Sequence, residues 1–188
     1  MIDYLNKYVT PQGFDAPRLI NDDFFLAIKT LFNAGFYVSA AKLLMILIDS
    51  VAFVSEGDRG NRIFCAWLGK YVDLSPVGIT SEELWEHRNS LLHMTSSESR
   101  KVRSGKVCRL MMYVGTLPPG LKVKMHQPKF FNLVILLQAV GKGIGQYLNS
   151  LNNDPKKRES FIQRYDEILS DVRYERFELP DLRTQIEP

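Results

Sequence analysis

Residues Phe36 to Ser55 read FYVSAAKLLMILIDSVAFVS, and the fold turns on how this stretch is taken. From Phe36 to Val54 it approaches the roughly 20 apolar residues that span a bilayer. Lys42 and Asp49 lie inside it, however, and either charge is costly at bilayer depth. It is apolar on most of its sides, as a central core helix is. The chain therefore reads as a mainly α protein built around this segment.

Outward from that helix the punctuation is regular. On the N-terminal side Gly35 closes a helix expected from Asp23 to Phe32, with Asn21 or Asp22 as its cap. Residues 1–20, broken by Pro11, Gly13 and Pro17, read as an irregular segment. On the C-terminal side Glu56 to Gly60 make a turn. A helix from Asn61 to Val72 follows, with Ile63, Phe64, Trp67, Leu68 and Tyr71 on one face. Pro76 and Gly78 break the chain, and Thr80 with Glu83 forms a capping-box pattern ahead of a helix from Ser81 to Met94. A polar stretch runs from Thr95 to Ser104. Val107–Thr116 and Leu121–Gln127 flank Pro118-Pro119-Gly120, a pattern that predicts a small β-hairpin insertion over about 106–127. An apolar helix is expected from Phe130 to Leu148. A charged one is expected from Pro155 to Val172, behind Asn152-Asn153-Asp154, as a surface helix or oligomer contact. One helical domain over 21–172 and a tail over 173–188 complete the reading.

The 188 residues are 45% hydrophobic and 24% charged, a globular composition. A net charge of +3 is too small by itself to imply nucleic acid. Cys65 and Cys108 make no CxxC pair, and Met1 to Gly13 carry no secretory pattern. The expectation is a cytoplasmic protein without a membrane partner. His87, His93 and His126 lack a metal-ligand spacing, and no cofactor is expected. Gly141-Lys142-Gly143-Ile144-Gly145 fails both the P-loop and the dinucleotide patterns, so Gly141 and Gly145 are read as allowing close helix packing. Phe24, Phe25, Phe32, Phe36 and Phe53 are read as core.

The Ser81 helix holds the chemically suggestive residues. At about 100° per residue, with Leu84 at zero, Leu84, Trp85, Leu91 and Leu92 make an apolar arc centred near 40°. Arg88 falls in the middle of that arc, where a guanidinium is expensive unless it is paired or faces a protected cleft. Asp49, the acid inside the central helix, is the best candidate partner. Asn89 and His93, four residues apart, share another face, about 140° from Arg88 in the case of His93. Two plain structural roles stand beside the functional one: a buried Arg88–Asp49 pair, and a His93 favoured by the helix C-terminal dipole.

Arg88-Asn89-x3-His93 resembles the hallmark of the HEPN superfamily, small helical-bundle proteins in which an arginine, often followed by asparagine, precedes a histidine by four to six residues. Leu84 and Trp85 ahead of the motif are similar to the family's pattern. The coarse helix pattern extends the resemblance over Asp22 to His93 and Phe130 to Leu148, and the hairpin departs from the simplest version of the fold. The resemblance implies a HEPN-like up-and-down bundle and a homodimer whose cleft joins two motifs. It also implies metal-independent endoribonuclease activity by attack of the ribose 2′-OH, in a toxin or phage-defence setting with an antitoxin protein as a further partner. In that scheme His93 moves protons, Arg88 binds phosphate and Asn89 orients the phosphate or the histidine.

A basic run, Arg100, Lys101, Arg103, Lys106 and Arg109, follows His93 closely and is a candidate RNA-backbone contact, with Lys122, Lys124 and Lys129 extending it. A solvated basic loop is the plainer reading. Two rival functions stand beside the nuclease: a non-catalytic helical dimer binding RNA, nucleotide or a protein, and a structural module without small-molecule chemistry.

Overall fold

Asp15 starts the helical body earlier than the sequence pattern suggests. Its carboxylate accepts the Arg18 N–H at 3.0 Å, and Pro17 sits in the first turn, where it has no amide hydrogen to lose. The computed structural model describes residues 5–93, 100–117 and 128–169, with His93 and Arg100 described in their backbone only. Helix α1 (Ala16–Ile20) passes through a π turn, Asn21–Phe25, into α2 (Leu26–Asn33). Before it come a 3₁₀ turn, Leu5–Tyr8, and a minimal antiparallel pair, β1 (Val9–Thr10) with β2 (Gly13–Phe14). The expected irregular N-terminal segment is thus corrected. Pro11 and Gly13 belong to a tight hairpin, and Leu5, Tyr8, Leu19 and Ile20 are buried in the main core.

Helix α3 (Tyr37–Glu56) is central and packs against α2, α4 (Asn61–Tyr71), α5 (Ser81–His93), α7 (Leu133–Asn152) and α8 (Pro155–Leu169). Ala40, Leu44, Leu47, Ile48 and Val51 are almost wholly buried. Among the described residues α3 is the one helix long and apolar enough to cross a membrane, with half of its most apolar window buried in the protein. Lys42 stays exposed, and Asp49 is taken up by an ion pair. Phe36, expected in the core, is 62% exposed because it precedes the helix rather than lying on its buried face.

The Thr80 capping box forms as its residues predict. The Thr80 N–H donates to Glu83 Oε2 at 2.7 Å, and the Glu83 N–H donates to Thr80 Oγ1 at 3.2 Å. A short helix α6 (Arg100–Arg103) follows α5.

The first strand expected for the hairpin is present, and its partner among the described residues comes from further along the chain. β3 (Leu110–Tyr113) pairs in parallel with β4 (Lys129–Asn132), in register Leu110↔Lys129. Parallel neighbours cannot be joined by a tight turn, so Pro118-Pro119-Gly120 does not define this pairing. The 121–127 segment, like Met94 and the tail over 173–188, lies outside the described residues. Phe130 and Phe131 are strand, not helix, because Asn132 caps α7. Its Oδ1 accepts the Val134 N–H at 2.8 Å.

α8 is more than a surface helix. Asp154 caps it through the Lys156 and Lys157 N–H groups, Phe161 and Tyr165 are buried, and Tyr165 donates its hydroxyl to Asp23. Arg164 Nη1 donates to the Val54 and Ser55 carbonyls at 2.9 and 2.7 Å, satisfying the C-terminus of α3. The close helix approach is made at Gly143, not at Gly141 and Gly145. A Cβ at Gly143 would stand 2.5 Å from Val72 Cγ2, whereas at the other two it would meet nothing within 4 Å.

Candidate functional site

α5 sets Arg88 toward α3. Its Nε donates to Asp49 Oδ2 at 2.6 Å, its Nη1 to Asn89 Oδ1 at 3.0 Å, and the guanidinium lies 5.1 Å from the centre of the Trp85 ring. The arginine and aspartate side chains are 17% and 26% exposed, so the pair works in a partly desolvated setting. Asp49 thus explains the single acid in the apolar run, and Arg88 explains why it is tolerated there.

The pair is not sealed. It borders a cleft of about 500 Å³ between α3, α4 and α5, closed at one side by Ile168 of α8. Trp85, Phe64 and Phe53 provide aromatic walls, with the Trp85 and Phe64 rings tilted by 60° against each other at 5.3 Å. Arg59 stands at the cleft with its guanidinium 4.6 Å from the centre of the Phe53 ring. Sequence reading passed over Arg59, taking the Glu56–Gly60 loop only as a turn. Its signal is an arginine beside Gly60 and six positions after an aromatic on a central helix.

Arg88, Asn89 and Asp49 are brought together. His93 ends α5, and its side chain lies outside the described residues. By backbone register it follows Glu86 by seven residues, on the side of the helix turned away from Arg88. Lys101 docks on that same side, in ion pairs with Glu82 and Glu86. The Lys101 ammonium, with help from the Asn61 amide, holds the Glu82 carboxyl below the usual carboxylate range. Glu82 in turn raises Lys101. Lys129 is likewise tied to Glu83, at 2.9 Å.

Of the basic run, Arg103 and Lys106 are exposed, Arg109 is half-buried with its carbonyl accepting the Lys129 N–H at 2.8 Å, and the Arg100 side chain lies outside the described residues, as do Lys122 and Lys124. Within the described part of the run, Lys101 is thus bound to acids of α5, Arg103 and Lys106 face solvent, and Arg109 is half-buried. His87, also on α5, packs its ring against the edge of Phe131 at 5.3 Å. Burial lowers its pKa to about 4. Among the described residues no group of three or more His, Cys, Asp or Glu side chains is placed to hold a metal ion.

No protein-family model matches this chain, and neither does any curated protein or solved structure.

Proposed function

We propose that this chain is a HEPN-like, homodimeric, metal-independent endoribonuclease. The observation that supports the reading best is Arg88, set by Asp49 and Asn89 at the edge of an open cleft on the helix that ends at His93. A guanidinium held by a carboxylate and an amide oxygen is pre-oriented, and its charge and planar N–H donors are of the kind that recognise phosphate oxygens. In the reaction His93 takes the proton from a ribose 2′-OH and O2′ attacks the adjacent phosphorus. The 5′-oxygen then leaves with a proton, giving a 2′,3′-cyclic phosphate and a 5′-hydroxyl. Arg88 stabilises charge on the phosphoryl oxygens. With His93 in register away from Arg88 of its own chain, the reading calls for a second copy to complete each site, as the Arg-Asn-x3-His resemblance implies. A toxin or phage-defence role with a protein antitoxin is consistent with such an activity.

A second reading, a non-catalytic dimer binding RNA, nucleotide or protein, is favoured by one feature. Two donor edges of Arg88 are already occupied within the chain. Cellular RNA incubated with the purified protein in excess chelator separates the two. Cleavage with cyclic phosphate ends, lost in His93→Ala and blocked by 2′-deoxy substitution at the cut site, supports the nuclease. A folded dimer that leaves all RNA intact moves the assignment to the binding dimer.

A further inference from the structure

We infer that the cleft between α3, α4 and α5 is a nucleobase pocket, in which Phe53 and Trp85 flank the base and Arg59 recognises its phosphate or ring acceptors. The inference deepens the ribonuclease reading and rests on it for the nature of the ligand. Three observations carry it.

The cleft, at about 500 Å³, falls within the size range of small-ligand sites, roughly 300–1,000 Å³, and three of its walls are aromatic. Next, both cations at the cleft already lie over aromatic faces, Arg59 over Phe53 at 4.6 Å and Arg88 over Trp85 at 5.1 Å. A flat, polarisable base is a ligand that stacks on a ring and on a guanidinium plane alike, so a cation–ring contact that it displaces is replaced by stacking of the same kind.

Lastly, the two acids at the cleft are engaged by protein donors. Asp49 accepts from Arg88, and Asp58 accepts from the Arg59 N–H at 2.7 Å and from Arg62 at 3.4 Å. Arg59 has no carboxylate partner among the described residues and is exposed, so its guanidinium can turn to an anion at little cost. An uncharged apolar ligand would leave that cation unused, whereas a nucleotide satisfies ring and guanidinium together.

The chain has two tryptophans, Trp67 fully buried in the core and Trp85 at the cleft, so ligand-dependent fluorescence reports on Trp85. The test titrates the full chain, as His93→Ala in chelator, with AMP, GMP, CMP, UMP and ribose 5-phosphate. Saturable quenching by at least one nucleoside monophosphate, absent with ribose 5-phosphate, is expected. Its Kd should rise about tenfold in Arg59→Ala, the loss of one charge-assisted contact. Phe53→Ala should weaken it similarly. No saturable quenching by any of the four nucleotides, or quenching that Arg59→Ala leaves unchanged, overturns the pocket. Saturable, Arg59-dependent quenching in a protein whose parent cleaves no RNA upholds the pocket and removes the ribonuclease. RNA cleavage with the same KM in Arg59→Ala does the reverse.

Discussion

Arg88 Nε and Asp49 Oδ2 meet at 2.6 Å although 39 positions separate them in the chain, where α5 lies against α3. Each residue alone looks misplaced: an acid inside the most apolar helix, and a cation in the apolar arc of another. Together they neutralise each other beside the cleft.

Removing one member should leave the other without its charge partner in a partly desolvated place. Asp49→Ala is expected to lower stability by about 2 kcal/mol. The double variant Asp49→Leu/Arg88→Met should recover most of that loss, because a matched apolar pair needs no compensation. Urea denaturation of the single and double variants measures this. A double variant no more stable than Asp49→Ala would show that the pair is not what holds this contact.

The glycines of α7 should behave in opposite directions. At Gly143 an added Cβ would press on Val72 and on the Tyr71 carbonyl oxygen, at 2.5 and 2.7 Å. Gly143→Ala should cost about 1–3 kcal/mol by overpacking. Gly141→Ala and Gly145→Ala open onto free space and should each stabilise the helix by about 0.5–1 kcal/mol. Thermal melts of the three variants decide it, and a destabilised Gly141→Ala would contradict the packing described.

Arg164 joins α8 to the end of α3, and Gly57 makes room for it. Gly57 has φ +77°, and a Cβ there would come within 2.8 Å of the Arg164 guanidinium. Arg164→Ala should lose about 1–2 kcal/mol through two unmade bonds to carbonyls at a helix C-terminus. Gly57→Ala should be destabilising as well, through backbone strain and displacement of the arginine. Because part of that second effect acts through Arg164, the double variant should lose less than the sum of the two, which a double-mutant cycle reads directly.

His87 makes stability depend on pH. Burial holds its pKa at about 4, below the ordinary 6.5, so the unfolded chain binds a proton that the folded chain refuses. The contribution is complete above pH 6.5 and is lost as pH falls toward 4. The loss amounts to about 2 kcal/mol between pH 7 and pH 5. Denaturation at those two pH values should show the decrease in the parent and a much smaller one in His87→Leu. An equal decrease in both would mean that His87 is not its source.

How much was legible in the sequence follows from the range of the forces involved. The capping box at Thr80 and Glu83, the termination of α3 at Gly57 and the amphipathic face of α4 are set by neighbours a few residues apart, and the sequence displays them. The N-terminal segment was not legible. Tyr8 and Leu19 look like isolated apolar residues until the core supplies a surface for them. The β3–β4 pairing, with strand at Phe130 and Phe131 where the periodicity predicts helix, was not legible either, because parallel pairing is made between strands that no local turn connects.

In the candidate site, Arg88, Asn89 and Asp49 could be named in advance, since a charge among apolar residues needs a partner wherever it is buried. Arg59 could not, because an exposed loop arginine carries no such demand. Composition, helical periodicity and capping, all local quantities, made this a mainly helical chain with an arginine that requires an acid. Tertiary structure alone decided that Arg88 and Asp49 meet at 2.6 Å, that Gly143 is the close approach, and that the pair opens on an aromatic cleft. Each of these depends on which helices cross and at what distance, and that follows from the packing of the whole core.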